Sequence, residues 1–246
     1  MTNSVAGVRQ PEAALRTAGG QALVVAVDGP SGSGKSSAAR GTASALGLCY
    51  LDTGAMYRAV TWWMLEHDVD LTDPDAIAGH MDGLSIEIST DPGKQRVRID
   101  GIDVTEQIRT RRVSNVVSLV AAVPQVRAQL IAQQQGIIAG AAETEGGIVA
   151  EGRDIGTVVA PGATVKVFLT ASEQVRADRR TAQLGGDPQE PPTAAVTLAE
   201  QAQRDRRDAP QSQMAADAIA IDATDLGLDE VIYRILALVG ADRASR

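Results

Sequence analysis

Cysteine, aromatic residues, long apolar runs and basic charge are all in short supply in this chain. A single cysteine, Cys49, excludes an intrachain disulfide framework and suits a reducing compartment, so the expected location is cytoplasmic. Aromatics are 2% of the residues, so the core must be built from Val, Ile, Leu and Ala. No apolar run approaches the roughly 18 residues that would signal a membrane span. The first twenty residues hold Arg9 and Arg16 but no continuous apolar segment, so residues 1–20 are read as a disordered tail and not as a signal peptide. A net charge of −8 speaks against a general nucleic-acid binder, which needs a basic surface. Any anion must therefore be held by local clusters of basic residues. Internal repeats and low-complexity segments are absent, and 246 residues suit one large domain, or one domain carrying a sizeable insertion.

What is present begins with "ALVVAVD", an apolar run of strand length typical of a central parallel strand. A helix is predicted from Ser36 to Leu46, ending at Gly47, then a short strand "LCYLD" and a helix through "TGAMYRAVTWWMLEHD". "LSIEISTDPGKQRVRIDGIDV" alternates apolar and polar residues around "DPGK" and "DG" turns, which predicts antiparallel hairpins within an insertion over about 62–145. Helical patterns return from Arg111 to Ala139, broken at Pro124. Two buried-type strands follow, "GGIVAEG" and "ATVKVFLT", then a helix that Ser172 can cap. The breaker cluster "GGDPQEPP" reads as a loop or lid; a polar helix (Thr193 to Arg207), a strand "AIAIDA" and a helix (Leu228 to Leu238) complete the chain. Buried strands alternating with helices predict an α/β fold with a parallel sheet.

Between the first strand and first helix stands Gly29-Pro-Ser-Gly-Ser-Gly34-Lys35-Ser36, a match to the phosphate-binding P-loop pattern. A lysine at a helix N-terminus opposes the helix dipole, so a negative group must offset it. Glycines let backbone N–H groups cradle phosphate oxygens, the lysine reaches the β and γ phosphates, and the serine hydroxyl can ligate Mg²⁺. The partner is thus a nucleoside triphosphate.

A P-loop alone leaves two classes open, a phosphotransferase and a GTPase-type switch. The guanine-reading N-K-x-D pattern is missing: the two asparagines, Asn3 and Asn115, are not followed by lysine. A phosphotransferase needs a second anion site facing the loop. Three arginine-bearing segments qualify, "LDTGAMYR", "EGRDIGTVV" and "QRDRRD", the first two directly after strands. In a parallel sheet the carboxyl ends of the strands share one edge, so Arg58, Arg153 and the P-loop can converge.

The ordered set "DGPSGSGKSS", "LDTGAMYRAV", "DVTEQIRT", "SLVAAVPQVR", "EGRDIGTVV" and "VKVFLTAS" resembles the successive motifs of bacterial cytidylate (CMP) kinases, across roughly residues 22–240. The resemblance implies a P-loop NTPase parallel sheet flanked by helices over 21–246. Within it would lie a CMP-binding insertion at about 62–145, with a small antiparallel sheet, and a lid at about 176–195. It implies transfer of the γ-phosphoryl group of ATP to CMP and dCMP, in pyrimidine nucleotide metabolism, by a monomer that needs Mg²⁺ and binds neither nucleic acid nor membrane. Carried over by position, Gly29, Pro30, Ser31, Gly32, Ser33, Gly34, Lys35, Ser36 and Ser37 hold ATP, with Ser36 on the metal. Arg176 and Arg179 are lid arginines meeting the ATP phosphates. Thr53 and Arg58 line the CMP site, with Arg58 and Arg153 on its phosphate. Ser118, Arg127 and Asp154 face the cytosine, and Arg204 and Asp208 approach ribose and phosphate. Lys35, Arg58 and Arg153 are the catalytic candidates.

One departure stands out. After the position of Asp208 the family usually continues with a Ser-x-x-Arg-like stretch, whose arginine also holds the acceptor phosphate. Here "DAPQSQMAADA" has no arginine, so either the role is lost or Arg206 or Arg207 takes it over. A phosphomonoester is mostly a dianion at neutral pH, its second pKa being about 6, so the acceptor needs no general base. That suits a chain whose only histidines, His67 and His80, lie in ordinary polar segments.

Overall fold

The structure is a computed structural model and describes residues 22–184 and 194–245. The N-terminal tail and the "GGDPQEPP" cluster lie outside the described residues.

The chain runs β1 (Leu23–Asp28), α1 (Lys35–Leu46), β2 (Cys49–Asp52), α2 (Thr53–Glu66) and α3 (Pro74–Gly79). Short strands β3 (Ile86–Ile88), β4 (Val97–Ile99) and β5 (Ile102–Asp103) come next, then α4 (Arg111–Ala121) and α5 (Pro124–Thr144). The remainder is β6 (Gly147–Gly152), a π-helical turn (Ile155–Val159), β7 (Val165–Thr170), α6 (Glu173–Leu184), α7 (Ala194–Asp208), β8 (Ile219–Asp222) and α8 (Leu228–Ser245).

Five strands form one parallel sheet in the order β2-β6-β1-β7-β8. The apolar run of β1 is explained by burial on both faces. Val25 and Val27 pack with Ala38, Ala39 and Ala43 of α1 and Ile235 of α8. Ala26, pointing the other way, packs with Met56 and Val60 of α2 and Leu130 of α5. The second core continues without interruption under the small antiparallel sheet β3-β4-β5, through Ile86, Val97 and Ile99.

Local signals account for most element ends. Gly47 caps α1 in the left-handed region with φ 64°. The Asp52 side chain caps α2 by accepting from the Ala55 N–H at 2.9 Å, and Ser172 Oγ accepts from Val175 N–H at the start of α6. Asp100 and Gly101, with φ 49° and 77°, make the "DG" hairpin between β4 and β5. Around Pro124, α4 and α5 turn through 99°. No single helix among the described residues is long and apolar enough to cross a membrane. The expected elements did not include α3, the continuation of the final helix to Ser245 or a π-helical turn after "EGRD". That turn is held from outside: buried Asp28 accepts the N–H groups of Ile155 and Gly156 at 2.9 and 2.8 Å. The histidines share one surface cluster, with His67 stacked on Trp63 at 3.7 Å and His80 beside it.

Candidate active site

The P-loop leaves β1 at Asp28 and ends where α1 begins. Gly29 and Gly32 have no room for a side chain: a Cβ would stand 2.0 Å from the Leu169 carbonyl oxygen at the first, and 2.6 Å from that of Arg176 at the second. Gly32 and Gly34 also need left-handed torsions, φ 77° and 93°. No side chain caps the N-terminus of α1, and its first turn has no acid, so its N–H groups are left to a ligand. The Lys35 amine lies 3.5 Å from the Pro30 carbonyl oxygen and 3.8 Å from Glu151 Oε2. Burial, and then the nearby Arg153 charge, pull its pKa down to about 8.

Sheet order supplies the facing wall. The ends of β2 and β6 are neighbours, so Asp52 pairs in register with Glu151. Thr53 Oγ1 donates to the Glu151 carbonyl at 2.8 Å. Arg153 donates to the Gly29 carbonyl at 2.7 Å and meets Asp208 at 3.2 Å, which joins the P-loop to α7. Asp208 also accepts from Ser118 Oγ at 2.6 Å and faces Arg204 at 3.5 Å. Burial works against its charge, but Arg153, Arg204 and Ser118 hold its carboxyl below the usual range. Arg127 and Asp154 form an ion pair at 2.5 Å. Arg58 reaches Ser114 Oγ at 2.8 Å.

These groups line one cleft of about 550 Å³. It gathers Ser31, Gly32, Gly34, Lys35, Ser36 and Ser37 of the loop with all eight residues that the resemblance assigns to CMP: Thr53, Arg58, Ser118, Arg127, Arg153, Asp154, Arg204 and Asp208. Gly29, Pro30 and Ser33 shape the loop without lining the cleft. Arg176 and Arg179, expected at the ATP phosphates, lie against the phosphate loop. Both donate to loop carbonyls, Arg176 to Ser31 at 3.1 Å and Arg179 to Ser33 at 3.2 Å, and neither lines the cleft. Arg176 is also paired with Asp205 at 2.5 Å. The start of α6 lies directly against the loop, so these two arginines brace its backbone, and Arg180 is the one that faces the cleft. Of the candidates to replace the missing last arginine, Arg206 and Arg207 are exposed and outside this cleft, whereas Gln211 lines it.

Sequence reasoning missed Arg180, Arg109, Asp52, Ser114 and Glu151. Glu151 had a visible signal: it is an acid at the end of an otherwise apolar strand. It is buried, accepts from Tyr50 Oη at 3.2 Å and contacts the Ser36 hydroxyl. Burial, and then the Asp52 charge, raise its carboxyl pKa. The described residues hold no cluster of three metal-ligating side chains. Ser36, Glu151 and Asp52 instead offer a few hard oxygens beside the phosphate loop, the donor set that fits a Mg²⁺ carried largely by nucleotide phosphates and water.

Positive charge dominates the rest. Burial and then the charge of Arg180 lower the Arg58 pKa to about 10. Burial with Arg58 and Arg153 lowers Arg204 to about 9, and burial with Arg204 and Arg109 lowers Arg180 to about 10. Guanidiniums crowded together in this way favour an anion between them.

A phosphate loop at the end of β1, with a second, arginine-lined anion site across the same sheet edge, defines a P-loop nucleotide phosphotransferase. The cytidylate kinase family model matches residues 25–241, and the chain belongs to that family. It is 45% identical over 225 residues to the cytidylate kinase of Streptomyces avermitilis, covering 92% of this chain and 96% of that protein. With the cytidylate kinases of Rhodococcus jostii and Rhodococcus opacus it shares 50% and 49% identity over 221 residues, each covering 88% of this chain and 94% of the relative.

Proposed function

We propose that this protein transfers the γ-phosphoryl group of ATP to CMP, giving CDP and ADP, and that dCMP is accepted as well. The observation that supports it best is the convergence of Arg58, Arg153, Arg180 and Arg204 on a cleft that faces the P-loop, in a chain of net charge −8. Two polyanions repel, and half-buried guanidiniums are what bring them together.

The ATP phosphates lie in the loop, against the amide groups at the start of α1, with Lys35 on the β and γ groups. CMP lies across the cleft, its phosphate on Arg58 and Arg153 and its ribose near Arg204 and Asp208. Ser118, Arg127 and Asp154 surround the base, and the Asp154 carboxylate accepts from the exocyclic amine of cytosine. An oxygen of the CMP phosphate, already anionic, attacks the γ phosphorus in line. The bond to the bridging oxygen of ADP breaks, and no proton has to be removed. Lys35 and the arginines neutralise the charge that gathers on the transferred group. Mg²⁺, held by Ser36 with Glu151 and Asp52 near it, supplies further charge neutralisation on the ATP phosphates when bound. The enzyme is further assigned as a cytoplasmic monomer without a nucleic-acid or membrane partner, with the 62–145 insertion as the CMP-binding unit; the lid expected at 176–195 falls in part outside the described residues.

A coupled assay offering ATP with CMP, dCMP, UMP and AMP in turn tests the reading. The expected order is CMP and dCMP well ahead of UMP, with AMP inactive. Turnover of AMP or UMP equal to that of CMP would overturn it.

A further inference from the structure

Ser114 stands on α4, in the insertion, and has no part in the roles given above. It is 7% exposed. Its hydroxyl oxygen accepts two hydrogen bonds from two cations, Arg58 Nη1 at 2.8 Å and Arg180 Nη2 at 2.7 Å. The two arginines come from different sides of the reaction. Arg58 is on α2, directly after β2 on the acceptor side. Arg180 is on α6, whose Arg176 and Arg179 hold the carbonyls of the ATP loop. Ser114 is where the two sides meet.

A serine oxygen has two lone pairs, so it can satisfy one N–H from each guanidinium. It is neutral, so it fixes their positions without cancelling their charge. The two nitrogens can be no farther apart than the two hydrogen bonds laid end to end; Arg58 Nη1 also donates to the Ile108 carbonyl at 3.4 Å, and Ser114 is the acceptor the two cations share. A carboxylate at this place would hold them more tightly and would also occupy them. Arg58 and Arg180 are half-buried, and desolvation with neighbouring guanidiniums works against the charge of each, which an anion between them would relieve.

We infer that Ser114 is a positioning residue for phosphoryl transfer: it holds the acceptor-side Arg58 and the donor-side Arg180 as one two-armed clamp on the phosphate being passed. The inference rests on the phosphotransferase reading of this cleft. Arg58 and Arg180 touch the substrates; Ser114 acts only through them.

The test compares steady-state kinetics of Ser114→Ala, Ser114→Thr, Arg180→Ala and the double variant Ser114→Ala/Arg180→Ala, with ATP and CMP. Losing the acceptor of two charge-assisted hydrogen bonds should lower kcat of Ser114→Ala by roughly ten- to a hundredfold. Both KM values should move by less than about threefold, since the clamp acts in the transition state. Ser114→Thr, which keeps the hydroxyl, should recover most of that loss. In the Arg180→Ala background the same Ser114→Ala step should cost less than about threefold, because one arm is already gone. A full kcat in Ser114→Ala, or an equal loss with and without Arg180, would overturn the inference. Thermal melting of each variant checks the fold. If Ser114→Ala melts below the assay temperature, Ser114→Cys, of similar size and a poor acceptor, takes its place in the same comparison. Wild-type protein without ATP:CMP phosphotransfer would sink the functional reading; active wild type with indifferent Ser114 variants would sink only this inference.

Discussion

Replacing Asp154 by Asn should relax the choice of base. The Asp154 side chain is almost fully buried at the end of β6, and one of its oxygens meets Arg127 at 2.5 Å. An ionised carboxylate has about four acceptor sites, so others remain for the cytosine amine. The amide is nearly the same size, and the backbone bonds that Asp154 accepts from Val158 and Val159 are untouched. Arg127 then decides which way the amide faces: its guanidinium can only donate, so the amide oxygen turns toward it and the NH₂ group turns into the cleft. A donor now stands where an acceptor stood. Cytosine loses a hydrogen bond to a charged group, worth about 1.5–3 kcal/mol, or roughly ten- to a hundredfold in kcat/KM. Uracil has a carbonyl at that position and gains an acceptor–donor match, so the CMP:UMP ratio of kcat/KM should fall by on the order of a hundredfold. The assay is steady-state turnover of both nucleotides by wild type and variant at saturating ATP. If Asp154 only anchors Arg127, both substrates will suffer alike, and an unchanged ratio with both values depressed would refute the base-reading argument.

Lys35→Ala should lower kcat by about 10²–10³, as loss of one charge contact at the transferred group typically does, while CMP binding measured by calorimetry stays near wild type. The Lys35 amine titrates at about 8 in the free protein, because burial favours its neutral form. Its charged form holds the phosphates, so kcat/KM for ATP should decline as pH rises through about 8, and a flat profile to pH 9.5 would contradict this. Gly32→Ala places a Cβ 2.6 Å from the Arg176 carbonyl oxygen at φ 77°; it should lower the melting temperature and raise KM for ATP well above KM for CMP, both read in one purified variant.

The phosphate loop was legible because its chemistry is local. Eight consecutive residues carry the glycine torsions, the lysine and the hydroxyl, and the apolar run before them and the helix after them place the loop. The same holds for the caps at Asp52 and Gly47 and for the "DG" hairpin, each set by neighbours within a few residues. The two-sided burial of β1 could be read as well, since a strand without polar alternation has no wet face.

Contacts across the cleft depended on the assembled fold. The order β2-β6-β1-β7-β8 puts Glu151 beside Asp52 and Arg153 against Gly29, residues about a hundred positions apart, and that order is decided by how the helices cover both faces of the sheet. Which arginine of "VRADRR" would face the substrate depended on where α6 lies against the loop: Arg176 and Arg179 brace backbone carbonyls, and Arg180 reaches across to Ser114. Sequence alone determined that this protein holds a nucleoside triphosphate and, by the order of its motifs, which family it resembles. Tertiary structure decided which cations share the cleft and which neutral hydroxyl holds two of them together, because like charges converge only where packing elsewhere forces them to.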